Sequence, residues 1–137
     1  MKILLPLLLA PVLGSLPVNA EPGKKKAGGI LHVNAREAAQ LLSHKDEKKR
    51  PVIIDIRTSG EFKEGHLEGA RQIDFLEDDF AARVRKLDRS RAYLIHCRSG
   101  GRSSQSLALW NKLGFKKIYH LDGGILAWEK ASHPVVR

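Results

Sequence analysis

Cysteine is all but missing from this chain: among 137 residues there is one, Cys97. A lone cysteine excludes an internal disulfide framework, and the want of a resolving partner disfavours dithiol exchange of the thioredoxin kind. Aromatic residues are scarce at 6%. No basic groove interleaved with aromatics occurs, so the run Lys24-Lys25-Lys26 and the charged stretch from His44 to Arg50 read as solvated surface, with no nucleic-acid partner expected. Internal repeats are also absent. Acidic residues are outnumbered 15 to 24 by Lys and Arg, a formal charge of +9. Such a surface attracts anions or a membrane without choosing between them.

The longest apolar stretch, Ile3 to Leu16, follows the single positive charge at Lys2 and leads to Val18-Asn19-Ala20. This pattern predicts a secretory signal peptide over residues 1–20, cleaved after Ala20. Pro6, Pro11 and Gly14 interrupt the stretch, which is shorter than the roughly 20 residues a spanning helix needs, so no stable membrane insertion is expected after cleavage. No cysteine follows Ala20 to carry a lipid. The expected division is a signal peptide at 1–20, a basic linker at 21–29, one domain at 30–134 and a tail at 135–137. Cleavage removes only Lys2 among the charged residues, taking the formal charge from +9 to +8. The mature chain is then long enough for one modest core. Its expected location is outside the cytoplasm: periplasmic in a bacterium with an outer membrane, secreted otherwise. A single cysteine in such a chain favours a catalytic or free thiol over a disulfide scaffold.

Strand and helix signals alternate. Gly29 to His32 begins the sheet; Asn34 caps a helix with Glu37 at its third position and Ala35, Ala38, Ala39 and Leu42 on one face. Pro51 precedes the β-branched run Val52-Ile53-Ile54-Asp55-Ile56, which reads as a buried strand. Residues 57–70 read as a loop with a short helical turn, Ile73 as another short strand, and Phe80, Val84 and Leu87 as a helical stripe behind Glu77, Asp78 and Asp79. Ala92 to His96 is a strand, Ser103 to Leu113 a helix, Lys117 to Leu121 the last strand and Ile125 to Ala131 the last helix. Alternation of this kind implies a parallel sheet covered on both faces. Ligands in such sheets gather beyond the carboxyl ends of the strands, where Asp55, Cys97 and Asp122 fall.

Cys97 opens the run Cys97-Arg98-Ser99-Gly100-Gly101-Arg102-Ser103 between a strand and a helix. Gly100 and Gly101 let the backbone curl with its N–H groups inward, and the first helical turn adds unpaired donors. That cradle suits an anion, including a thiolate. With Arg98 and Arg102 beside it, the Cys97 pKa is expected below the free-thiol value of about 8.5. The bland alternative, a small buried hydrophobe, does not account for two glycines and two arginines within the next five positions.

Three separated blocks carry a resemblance to the rhodanese, or sulfurtransferase, family across roughly residues 30–134. They are Asp55-Ile56-Arg57 with Glu61-Phe62 and Gly65-His66-Leu67-Glu68-Gly69-Ala70; the Cys97 to Ser103 run; and Leu121-Asp122-Gly123-Gly124 with Trp128. The resemblance implies a five-stranded α/β domain whose cysteine becomes a persulfide. Cys97 would take sulfur from thiosulfate or another sulfane-sulfur donor, and cyanide, a thiol or a protein acceptor would remove it, by covalent ping-pong chemistry. The backbone N–H groups of residues 98–103 would stabilise the persulfide, with Arg98 and Arg102 holding the anionic donor. Asp55, Arg57, Glu61 and His66 would support the loop through ion pairs. No cofactor or metal is implied.

His96 adjoins Cys97 on a strand and should face the opposite way, so adjacency makes no Cys–His pair. Trp110 and Trp128 read as core, and Asp122-Gly123-Gly124 as the turn into the last helix. Cysteine phosphatases and arsenate reductases place an arginine after five intervening residues; here Ser103 holds that position and Arg102 comes one earlier, which disfavours oxyanion chemistry. A persulfide carrier delivering sulfur to a protein partner would use the same cysteine and remains the non-enzymatic reading.

Overall fold

The computed structural model describes residues 29–137. The predicted signal peptide and nearly all of the basic linker lie outside the described residues. Five parallel strands form one sheet in the order β1-β5-β4-β2-β3: β1 Ile30–Val33, β2 Val52–Asp55, β3 Arg71–Gln72, β4 Ala92–His96 and β5 Lys117–Leu121. Five α-helices connect and cover them: α1 Ala35–Leu42, α2 Ser59–Glu64, α3 Phe80–Arg85, α4 Gly101–Lys112 and α5 Gly124–Lys130. Among the described residues no helix is long and apolar enough to cross a membrane.

Both sheet faces are buried because alternate residues of each central strand feed two separate cores. Ile54, Tyr93, Ile95 and Ile118 pack with Phe80 and Val84 of α3 and Trp110 of α4. Ile53, Leu94 and Leu121 pack on the other face with Ala35 and Ala38 of α1 and Ile125 and Trp128 of α5. Both tryptophans are therefore core, as their setting predicted.

Local signals set several boundaries. Asn34 accepts from the Glu37 N–H at 2.9 Å and Glu37 reaches back to the Asn34 N–H, completing the predicted capping box of α1. Thr58 and Glu61 form a second such box, so the span read as loop with a helical turn contains α2. Ile73 is not itself in a strand: β3 ends at Gln72, and the Ile73 N–H donates to Asp55 O at 2.9 Å. The last helix begins at Gly124, one residue ahead of expectation. The effect of this topology is to bring the carboxyl ends of β4, β5 and β1 side by side under the first turn of α4.

Candidate active site

β4 ends at His96, and the next residue, Cys97, turns into the α3 and α4 core with only 1% of its surface exposed. The chain then curls through Ser99 and Gly100 into α4. Gly100 has φ 106°, a left-handed conformation that glycine adopts without steric cost, and this aims its N–H back at the sulfur. Cys97 Sγ lies 3.1 Å from Gly100 N, 3.5 Å from Ser103 N and 3.3 Å from Ser103 Oγ. Burial is the largest influence on the thiol and raises its pKa. The Ser103 hydroxyl and the N–H groups of Ser103, Gly100 and Arg102 together outweigh it, and the net shift is downward. The sulfur therefore faces donors suited to an anion.

The loop is braced from beneath by α5. Ile125 N–H donates to Cys97 O at 3.0 Å and Leu126 N–H to Arg98 O at 3.1 Å. Gly124 makes this approach possible: its φ is 60°, and a Cβ there would stand 2.4 Å from Arg98 O and 2.6 Å from Cys97 O. Gly123-Gly124 is thus a packing surface for the cysteine loop as well as the predicted turn.

The two loop arginines differ. Arg102 directs both terminal nitrogens at the Glu61 carboxylate, at 2.7 and 2.9 Å. The hydrogen bonds from Arg102 are the main reason that the Glu61 carboxyl is lowered to about 2, against the opposing effect of burial. Arg98 is exposed and makes no ion pair among the described residues. It borders an open cleft of about 550 Å³ that Glu61 and Leu126 also line. Ser99 and Gly101 are exposed at the mouth of the loop.

Asp55 and Arg57 form a buried pair on the other side of the sheet end. The guanidinium lies 2.7 Å from Asp55 Oδ2 and also donates to Gly65 O, tying β2 to the end of α2. His96 points into this network, away from Cys97 as the strand alternation predicted. Its Nδ1 donates to Cys97 O at 2.9 Å, while Nε2 stands 3.7 Å from Asp55 Oδ2 without a hydrogen-bond partner. Burial pushes the His96 pKa down, which keeps the ring neutral. His66 lies elsewhere, stacked on Phe62 at 3.8 Å with Nδ1 donating to Phe62 O.

One constellation escaped the sequence reading. Ser103 Oγ, already beside Cys97, is 2.7 Å from His120 Nε2, and His120 Nδ1 is 2.9 Å from Asp122 Oδ1. Burial lowers the His120 pKa despite Asp122, so the ring carries a single proton at neutral pH. With that proton on Nε2, the ring donates to Ser103 and frees the serine proton for the thiolate or for Gly100 O, 3.2 Å away. With it on Nδ1, the ring accepts the serine proton instead. The only sequence hint was that His120 and Asp122 share a strand face by i, i+2 spacing.

The buried cysteine held by inward amides at a strand-to-helix turn, on this five-stranded topology, agrees with a match to the Rhodanese-like domain family over residues 36–131. The chain belongs to the rhodanese family. It is 30% identical over 104 residues to a sulfurtransferase of Allochromatium vinosum, covering 76% of this chain and 95% of that protein. It is 34% identical over 114 residues to the probable adenylyltransferase/sulfurtransferase MoeZ of Mycobacterium tuberculosis, covering 77% of this chain but 29% of MoeZ. A rhodanese-related protein of Thermoplasma volcanium has the same fold, with a TM-score of 0.67 at 24% identity, covering 77% of this chain and 96% of its own.

Proposed function

We propose that this rhodanese is a sulfurtransferase that carries sulfane sulfur on Cys97, with thiosulfate as the donor and cyanide or a thiol as acceptor. The observation that carries the reading is the ring of donors around a single buried sulfur whose pKa is lowered. Similar proteins named thiosulfate sulfurtransferase GlpE, such as that of Shewanella oneidensis at 29% identity over 101 residues, support thiosulfate as the donor to test.

The Cys97 thiolate attacks the outer sulfur of thiosulfate; an S–S bond forms, the sulfur–sulfur bond of thiosulfate breaks, and sulfite leaves with the bonding pair. The terminal sulfur of the resulting persulfide bears the negative charge, on a cysteine whose sulfur the N–H groups of Gly100 and Ser103 face. Cyanide attacks that sulfur, thiocyanate leaves, and the thiolate returns. The loop amides stabilise the charged sulfur before and after transfer. Arg98, exposed and without an ion pair among the described residues, attracts the donor anion. Arg102, already paired with Glu61, holds the shape of the loop. Steady-state thiocyanate production with parallel double-reciprocal lines at varied cyanide is the expected result; no turnover with any sulfane-sulfur donor would overturn the reading.

Export is a second element of the proposal, supported by the Lys2, Ile3 to Leu16 and Val18-Asn19-Ala20 pattern. N-terminal sequencing of the protein recovered from its native cells should begin at Glu21. A chain retaining residues 1–20 in the cytoplasm would contradict it.

A further inference from the structure

His32, His120 and Asp122 converge at the carboxyl edge of the sheet, on the face that α4 covers. The parallel register of β1 and β5 sets His32 directly opposite His120, and Asp122 follows His120 by two residues, on the same side. Three donor atoms meet there. His32 Nδ1 lies 2.8 Å from Asp122 Oδ1, His120 Nδ1 lies 2.9 Å from the same oxygen, and the two Nδ1 atoms are 3.1 Å apart.

Protons alone serve this triangle poorly. If both Nδ1 atoms are protonated, both donate to Asp122 and their mutual edge joins two donors. If only one is, the other nitrogen turns a lone pair toward the carboxylate. A cation satisfies all three edges at once. Metal–ligand bonds of about 2.0–2.2 Å place neighbouring ligand atoms about 2.8–3.1 Å apart at the right angles of an octahedral site and about 3.3–3.6 Å apart at tetrahedral ones, so the observed edges match an octahedral face and would open by a few tenths of an ångström for a tetrahedral ion. The remaining nitrogen of His120 is already anchored on Ser103 Oγ at 2.7 Å, the outer hydrogen bond that orients a ligating imidazole. Side-chain exposures of 42% for His32 and 55% for Asp122 leave the outer side open to an arriving ion and to water ligands.

We propose that His32 Nδ1, His120 Nδ1 and Asp122 Oδ1 form a binding site for one divalent transition-metal ion of the zinc class. Two imidazoles and one carboxylate suit Zn²⁺, Ni²⁺ or Cu²⁺ better than the all-oxygen shells of Ca²⁺ or Mg²⁺. Nothing in the site depends on sulfur transfer. Its occupancy nevertheless reaches the cysteine: ligation through Nδ1 fixes the His120 proton on Nε2, where it donates to Ser103, so the serine hydroxyl no longer donates to the ring and its proton turns to Cys97 Sγ at 3.3 Å or Gly100 O at 3.2 Å.

Zn²⁺ titration of the purified full chain by calorimetry, with long-range ¹H–¹⁵N spectra of the histidine rings, tests the site. One equivalent should bind with micromolar or tighter affinity, and the Nδ1 resonances of His32 and His120 should shift. Cys97→Ser should keep this binding, whereas His32→Ala and Asp122→Asn should each weaken it by about tenfold or more. Absence of binding, loss of binding in Cys97→Ser, or undiminished binding in folded His32→Ala would overturn the proposal. The NMR spectra report whether each variant is folded.

Discussion

Arg102 and Glu61 meet as a two-point ion pair, with both guanidinium nitrogens on both carboxylate oxygens at 2.7 and 2.9 Å. Glu61 is also the third residue of α2 and closes its capping box with Thr58. The pair therefore ties the first turn of α4, immediately after the cysteine loop, to the start of α2. Arg102→Ala should accordingly lower kcat/KM for thiosulfate and for a neutral persulfide donor by similar factors. Arg98→Ala should penalise thiosulfate selectively, because its charge is free to act on the donor. Comparing both variants on both donors checks this; a thiosulfate-selective loss in Arg102→Ala would return Arg102 to direct anion binding.

The same ion pair predicts an acid-sensitive contribution to stability. Glu61 has a folded pKa of about 2 against an ordinary 4.5, so the folded state favours its charged form. That stabilisation is complete above pH 4.5 and fades as pH falls toward 2. Urea unfolding of the wild type and Glu61→Gln should differ at neutral pH, and the difference should shrink across this window. A gap independent of pH would mean that the variant acts through packing or capping alone.

Ser103→Ala should raise the Cys97 pKa, because it removes the side-chain hydrogen bond that most lowers it. It also strands His120 Nε2, which the serine hydroxyl contacts at 2.7 Å. The pH dependence of alkylation by iodoacetamide reads the thiol directly. An unchanged profile would show that backbone donors alone hold the thiolate.

Two glycines at helix starts should respond differently to alanine. At Gly124 the new Cβ meets two carbonyl oxygens in a left-handed backbone, and the cost should be at least about 1–3 kcal/mol. At Gly101 the new Cβ meets nothing within 4 Å, so stability should change by no more than about 0.5 kcal/mol. Thermal and denaturant unfolding distinguish them, and equal effects would contradict the bracing role of α5.

Most of the architecture was legible because the strands are short β-branched runs separated by capped helices. Asn34 with Glu37 marked the start of α1, and a single cysteine before two glycines marked the loop. The Thr58-to-Glu61 capping box was equally readable, yet its glycine-containing helix is too short for an apolar stripe to show. The Cys97–Ser103–His120–Asp122 chain was not legible, since it needs β5 beside β4 and the first turn of α4 above both. No local spacing encodes that contact. Gly124 posed a similar difficulty: its sequence context announces a turn, and only the fold reveals the carbonyls of Cys97 and Arg98 against it.

The proposed reaction requires that Cys97 itself carry the transferred sulfur. Intact-mass analysis after incubation with thiosulfate tests it most directly, with peptide mapping to locate the adduct. The wild type should gain the mass of one sulfur atom on Cys97 and lose it on addition of cyanide. Cys97→Ser, shown to be folded by circular dichroism, should gain nothing. Sulfur transfer by that folded variant, or a wild-type protein that turns over thiosulfate without ever carrying sulfur on Cys97, would rule out Cys97 as the sulfur carrier.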